Sequence, residues 1–259
     1  MTKSFKYSPL IIIITGLVFL SITPTRDNLL SVESLHGLKL LLMYITGVIA
    51  MIGMTFSIIL STKFKFLTKT FGGKGNISKL HKFTGITSFI FIVLHFLTIM
   101  TSKIVIALNL SPKVDDGPTF LDKQAALLYD FYNVSSLFSI DLNTYTSFLV
   151  NLFNFSIMLA LPTFFMFVVS IIISINKKFS YKTFMKVHKI MPFLYLSMAF
   201  HGIMILTRGN WFTSISGIAY LIFLGFGIYA SFYKIFKMLK TKKTLDGANS
   251  KKILNATEM

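Results

Sequence analysis

The sequence predicts an all-α membrane protein that crosses the bilayer six times and keeps both termini in the cytoplasm. Its 259 residues are 54% hydrophobic and have a mean hydropathy of +0.71, well above the range of soluble domains. The apolar residues fall into six long runs, each long enough to cross a bilayer as a helix. Basic residues gather in alternate connecting segments, which is the pattern of the positive-inside rule.

The first predicted helix, at about residues 8–22, follows Lys3 and Lys6. A cleaved signal peptide has the same pattern, but no small-x-small cleavage site precedes Pro24, so we favour an uncleaved helix. A short polar loop then leads to the second predicted helix, Leu38–Thr62.

The middle of the chain holds the next two predicted helices. A basic loop, Lys63–Lys79, precedes the third, Leu80–Met100. The long segment 102–146 is mostly polar and is predicted to lie outside, with an amphipathic surface helix within residues 121–140. The fourth predicted helix is Ser147–Ile175.

The fifth predicted helix is Met185–Leu206, and the sixth is about Phe212–Met238. We divide the chain into a first helix with its outer loop (1–37), a membrane core (38–238) and a lysine-rich cytoplasmic tail (239–259). The sequence has no internal repeat and no sign of a second folded domain.

The charge distribution sets the predicted orientation. With the N-terminus inside, the inner segments carry most of the 26 Lys and Arg residues, and the outer segments carry most of the nine acidic residues. The formal charge of +17 therefore reflects topology and favours contact with anionic lipid. Because the charge follows the membrane loops, we predict no nucleic-acid partner.

Four of the five histidines form two similar pairs. His81 and His95 lie 14 residues apart on the third predicted helix, and His188 and His201 lie 13 apart on the fifth; only His36 lies elsewhere. Ionisable groups at membrane depth are functional candidates, and paired imidazoles indicate metal ligation. The absence of cysteine excludes iron–sulfur clusters and covalently attached haem, so we predict non-covalent haem iron.

The predicted topology places the histidines at two depths. Both helices enter from the cytoplasm, so His81 and His188 (the inner pair) lie near the inner surface. His95 and His201 (the outer pair) lie about 20 Å further out, at about 1.5 Å per residue. Two bis-histidine haem b sites stacked in this way suit electron transfer, because neither iron keeps an open coordination position.

Helical periodicity fits the two helices unequally. A spacing of 14 residues returns to within about 40° on an ideal helix, whereas a spacing of 13 leaves about 140° between the side chains. Pro192 lies between His188 and His201 and must interrupt the local hydrogen bonds. We therefore expect a kink or a tightened turn there that restores the alignment.

These features resemble the ferric reductase-like transmembrane domain family, which includes the membrane cytochromes of ferric reductases and NADPH oxidases. The resemblance covers roughly residues 38–235. Its motifs are His81-x-x-x-Gly85 followed by His95, and His188 followed by His201-Gly202.

The resemblance implies a ligand set. The inner haem b would take His81 and His188, and the outer haem b would take His95 and His201. Gly85 would let a porphyrin edge approach its helix closely.

The resemblance also implies transmembrane electron transfer to an acceptor outside, either ferric iron or another extracytoplasmic oxidant. Larger relatives carry FAD- and NADPH-binding domains, but no Gly-x-Gly-x-x-Gly pattern occurs in this sequence. FAD or FMN and NAD(P)H are therefore expected only through a partner, a cytoplasmic flavin reductase, unless a membrane quinol is the donor. The expected location is the bacterial cytoplasmic membrane.

Two alternatives remain open. The chain could be the haem-bearing partner subunit of an exported reductase, such as a methionine sulfoxide reductase. It could also be a non-redox transporter or scaffold that uses its histidines for protonation.

Two further residues have open roles. Arg208 is predicted at the outer mouth near His201, where it either pairs with a haem propionate or extends to the interface. His36 is interpreted as an interfacial residue, with an outer contact to substrate or partner as the alternative.

Overall fold

The computed structural model describes residues 12–16, 35–107, 142–176, 178–206 and 215–257 of the chain. These residues are helical apart from short turns, and no strand occurs among them. A short helical segment at 12–16 precedes seven helices: α1 (Leu35–Ser61), α2 (Lys65–Thr70), α3 (Lys74–Ala107), α4 (Leu142–Ile175), α5 (Tyr181–His188), α6 (Met191–Leu206) and α7 (Ile215–Thr257).

Four of these helices are long and apolar enough to cross a membrane. The candidate spans are Leu41–Ser61 in α1, Lys74–Thr101 in α3, Val150–Ile175 in α4 and Gly217–Thr241 in α7. The chain is therefore an integral membrane protein, and the predicted all-α class is confirmed over the described residues. Six spans and the orientation of the termini stay predictions.

The first predicted helix is only partly described. Residues 12–16 are helical, and Ile12 is buried in the main core beside α1. The predicted surface helix at 121–140 lies outside the described residues, as does most of the predicted outer segment.

The fifth predicted helix is divided in two. α5 ends at His188, a turn follows at Lys189 and Ile190, and α6 begins at Met191. Pro192 lies in the first turn of α6, where its missing N–H is not needed. The predicted interruption of this helix is confirmed. With 16 residues, α6 is about 24 Å long, shorter than a full span of about 30 Å.

Two helices extend well beyond their predicted ends. α3 begins at Lys74, inside the predicted basic loop, and that loop also contains α2. α7 continues to Thr257, so the predicted tail 239–259 is largely an extension of the last membrane helix. Lysine, leucine and alanine in this stretch all favour a helix.

α1 is the central helix of the bundle. Its span is 56% buried, whereas the other three spans are 22% or 28% buried. α1 packs along α3, and the two helices run antiparallel. They pack closely at Gly53, where an added Cβ atom would collide with the Ser88 hydroxyl. α6 packs between α4 and α7 and also contacts α1.

A buried hydroxyl joins three helices between the depths of the two histidine pairs. The Tyr195 Oη atom lies 3.0 Å from Thr55 Oγ1 of α1 and donates to the Leu224 carbonyl of α7 at 3.3 Å. Because Tyr195 lies on α6 between His188 and His201, this junction fixes α6 against its neighbours at the level between the pairs.

Candidate functional site

The ring of His81 is held by α1. Its Nδ1 atom lies 2.9 Å from the Ser57 carbonyl oxygen and 3.0 Å from the Ser57 hydroxyl. A hydrogen bond to the carbonyl requires the proton on Nδ1, which leaves the lone pair on Nε2. This is the tautomer that binds a metal through Nε2.

The ring of His95 is held in the same way, further along both helices. Its Nδ1 atom lies 3.0 Å from the Met43 carbonyl oxygen and 3.4 Å from Thr46 Oγ1. Gly47 makes room for this ring, since an added Cβ would lie 3.1 Å from its Cε1 atom. Nε2 of His95 is again left with the lone pair.

The carbonyl groups that accept from His81 and His95 have the same spacing along α1 as the two histidines have along α3. Ser57 and Met43 are 14 residues apart on α1, and His81 and His95 are 14 apart on α3. Because the helices run antiparallel, the same spacing on both repeats the same carbonyl-to-imidazole contact at two depths. α1 thus presets the tautomer and orientation of one histidine in each pair.

The structure brings His81 and His188 together. Their ring centroids are 5.8 Å apart with an angle of 83° between the planes, and Phe184 stacks on His188 at 4.9 Å. Two imidazoles that bind one metal ion through a nitrogen at about 2 Å have ring centroids about 5 to 6 Å apart, depending on the angle at the metal. The rings of the inner pair are therefore close enough to bind one metal ion together.

The outer pair lies in an apolar cavity of about 410 Å³. His95 and His201 both line it, together with methionines and the stacked rings of Phe96 and Phe164, whose centroids are 4.2 Å apart. This volume lies in the range of cofactor sites, about 300–1,000 Å³. An apolar cavity with two imidazoles suits a large, flat, apolar group that carries a metal.

Two buried imidazole atoms lack partners. Nδ1 of His188 and Nδ1 of His201 have no hydrogen bond, although the Ser156 backbone lies beside the His201 ring. A buried polar atom without a partner is costly, so each ring has capacity for a bond that the protein does not supply.

The described residues gather no group of three or more metal-binding side chains. Most protein metal sites need at least three such ligands. Haem iron needs only one or two, because the porphyrin supplies the rest. The residues at both pairs therefore fit haem better than they fit a bare metal ion.

The remaining predicted site residues are placed as follows. Gly85 lies on α3, and an added Cβ would make ordinary contact, at 3.6 Å, with the Ser57 hydroxyl. Its predicted role beside a porphyrin stays a prediction, as do the roles of the four paired histidines. Arg208 lies outside the described residues, and His36 lies at the start of α1.

Sequence reasoning missed the contribution of α1. The Ser57 and Met43 carbonyls belong to the backbone, so no residue type marks them. Gly47, with Thr46 before it, was the one available signal, since a glycine inside an apolar helix often marks a close approach.

The four candidate membrane spans define the class of the protein, an integral membrane helical bundle, and it contains two pairs of partly buried histidines. Residues 46–199, more than half of the chain, match the family described as ferric reductase like transmembrane component. The chain belongs to this family. The match contains His81, His95 and His188 and ends two residues before His201. No curated protein and no solved structure matches the chain significantly.

Proposed function

We propose that the protein holds two b haems and transfers electrons across the bacterial cytoplasmic membrane to an acceptor outside. The observation that carries the proposal is the repeated anchor on α1, which leaves an imidazole lone pair at two depths of one bundle. A membrane helix whose histidines served only helix packing would not need the same tautomer twice at the same register.

Each histidine pair would hold one haem. His81 on α3 and His188 on α5 are the inner ligands, and His95 on α3 and His201 on α6 are the outer ligands. Bound haem b supplies one-electron redox chemistry. The α1 carbonyls keep His81 and His95 in the tautomer that leaves Nε2 free, and mostly apolar side chains line the cavity at the outer pair.

The donor is proposed to dock on the cytoplasmic face. Every described lysine within Lys63–Lys82 and Lys177–Lys189 is exposed, and these segments lie at the end of the bundle that holds His81 and His188. A flavin reductase with an acidic face would be steered to this surface, and salt would weaken the attraction. A membrane quinol is the alternative donor and would be nearly insensitive to salt.

The outer acceptor is proposed to be a small oxidant such as ferric iron or a docked reductase. In the second candidate function, the chain is the haem-bearing subunit of an exported reductase such as a methionine sulfoxide reductase. A pull-down with the outer face accessible distinguishes the two, because only the second predicts a stable protein partner.

Transmembrane electron transfer is tested in proteoliposomes. A reductant is enclosed within vesicles that contain the haem-loaded protein, and a membrane-impermeant ferric chelate is added outside. We expect reduction of the chelate by wild-type protein and background rates for His95→Ala and His188→Ala, each of which removes one ligand pair. Equal rates for wild type and both variants would refute transfer through the pairs.

A further inference from the structure

Lys234 on α7 is a half-buried cation with no carboxylate partner among the described residues. Its Nζ atom donates to the Ser61 carbonyl at 3.2 Å, within the candidate span of α7. The only acidic residue in the described part of the chain is Asp246, twelve residues further along the same helix and about 18 Å away.

The surroundings of Lys234 are cationic. Lys63 and Lys237 are close enough to repel its ammonium group. The Ser61 carbonyl belongs to the C-terminal end of α1, which provides roughly half a negative charge. That partial charge does not balance the lysines, and a partly buried cation is costly unless an anion pairs with it.

Lys234 also lies beside the inner pair. It interacts electrostatically with the rings of both His81 and His188. Its Ser61 contact is four residues, one helical turn, beyond the Ser57 carbonyl that anchors His81. The missing anion is therefore expected within reach of whatever group those histidines bind.

We propose that Lys234 pairs with a propionate carboxylate of the haem held by His81 and His188, which rests on the proposed function. Haem b carries two carboxylates at one edge of an apolar ring, so it brings the missing anion together with the metal. The ion pair would be charge-assisted and partly shielded from water, and it would orient the propionate edge toward α7. Lys234 is thus a positioning residue for the inner haem.

The test compares Lys234→Met, which removes the charge, with Lys234→Arg, which keeps it. Lys237→Met is the matched control, because Lys237 is an exposed lysine one turn further along α7. Each protein is loaded with haem b in uncharged detergent. Haem release to excess apoglobin and the two midpoint potentials are then measured.

For Lys234→Met we expect one of the two haems to leave about tenfold faster. Its midpoint potential should fall, because a nearby cation stabilises the reduced haem. Lys234→Arg and Lys237→Met should resemble wild type. If Lys234→Met and Lys237→Met behave alike, the inference is wrong while the proposed function stands.

Haem b dimethyl ester, which lacks ionised propionates, gives the second comparison. Wild type and Lys234→Met should release the inner ester at equal rates, and a persistent difference would assign Lys234 a purely structural role. An effect of Lys234→Met that appears only with anionic lipid would identify a lipid phosphate as the counter-ion and overturn the inference.

Two further outcomes separate the claims. If Lys234→Met does not fold, the wild-type protein alone tests the inference. It should then release haem b dimethyl ester from the inner site about tenfold faster than it releases haem b from that site. Wild-type protein that binds no haem at all would overturn the proposed function itself.

Discussion

Gly47→Ala tests the contact by which α1 orients the outer ligand. The new Cβ would lie 3.1 Å from His95 Cε1 and 3.2 Å from Nδ1, closer than ordinary van der Waals contact. Either the ring or α1 must move by a few tenths of an ångström. The movement separates His95 Nδ1 from the Met43 carbonyl, now 3.0 Å away, toward the limit of a good hydrogen bond.

The expected loss of haem affinity follows from the cost of disturbing a hydrogen bond to the non-ligating nitrogen of a histidine ligand. Loss of such a partner lowers metal affinity by about 10- to 100-fold. A displacement without full loss belongs at the lower end, about tenfold, or about 1.4 kcal/mol. Alanine favours a helix over glycine by about 1 kcal/mol, so the helix itself is not weakened.

The assay is release of haem to excess apoglobin, followed by absorbance. We expect one haem of Gly47→Ala to leave about tenfold faster than in wild type and the other to be unchanged. Gly225→Ala is the matched control, because Gly225 is also a glycine inside a membrane helix, lies outside the cavity lining, and its added Cβ would meet nothing within 4 Å. Equal release from Gly47→Ala, Gly225→Ala and wild type would refute the anchoring role of α1.

Three other predictions follow from the same arrangement. His95→Ala or His201→Ala should remove one haem, and His81→Ala or His188→Ala should remove the other. Optical spectra measure the loss. If a His95 variant and a His188 variant lose the same haem, the proposed pairing is wrong. Tyr195→Phe should lower the free energy of unfolding by about 1 kcal/mol, because it removes buried hydrogen bonds to Thr55 and Leu224, with unchanged haem spectra; unaltered thermal stability would contradict this. NADPH alone should not reduce the haems, whereas NADPH together with a flavin reductase should reduce them, and the reduction should be faster at low salt. The measurement is the haem absorbance. Catalytic reduction by NADPH alone would contradict this prediction.

The sequence was sufficient for the class of fold and for the candidate ligands. Apolar runs predict membrane helices whatever their packing, and the four histidines are conspicuous because polar groups are rare at that depth. Pro192 also predicted the interruption of the fifth helix, since the loss of a hydrogen bond at proline is local. The break falls at Lys189 and Ile190, just before the proline.

The sequence did not predict the contacts that depend on backbone atoms or on neighbouring helices. The carbonyls that accept from His81 and His95 could be any residues that meet them across the helix interface. Lys234 resembles the other lysines near the ends of membrane helices until α1 is placed beside it. Helix ends shifted for a related reason, because lysine-rich segments without proline favour continued helix.

The central claim is that each histidine pair holds a b haem, and haem content tests it most directly. Protein expressed with haem supplied is purified, and its reduced-minus-oxidised spectrum and pyridine haemochrome are recorded against protein concentration. We predict a b-type spectrum at about two haems per chain, consistent with two bis-imidazole sites and no cysteine. Absence of haem, or a c-type haemochrome, would contradict the claim.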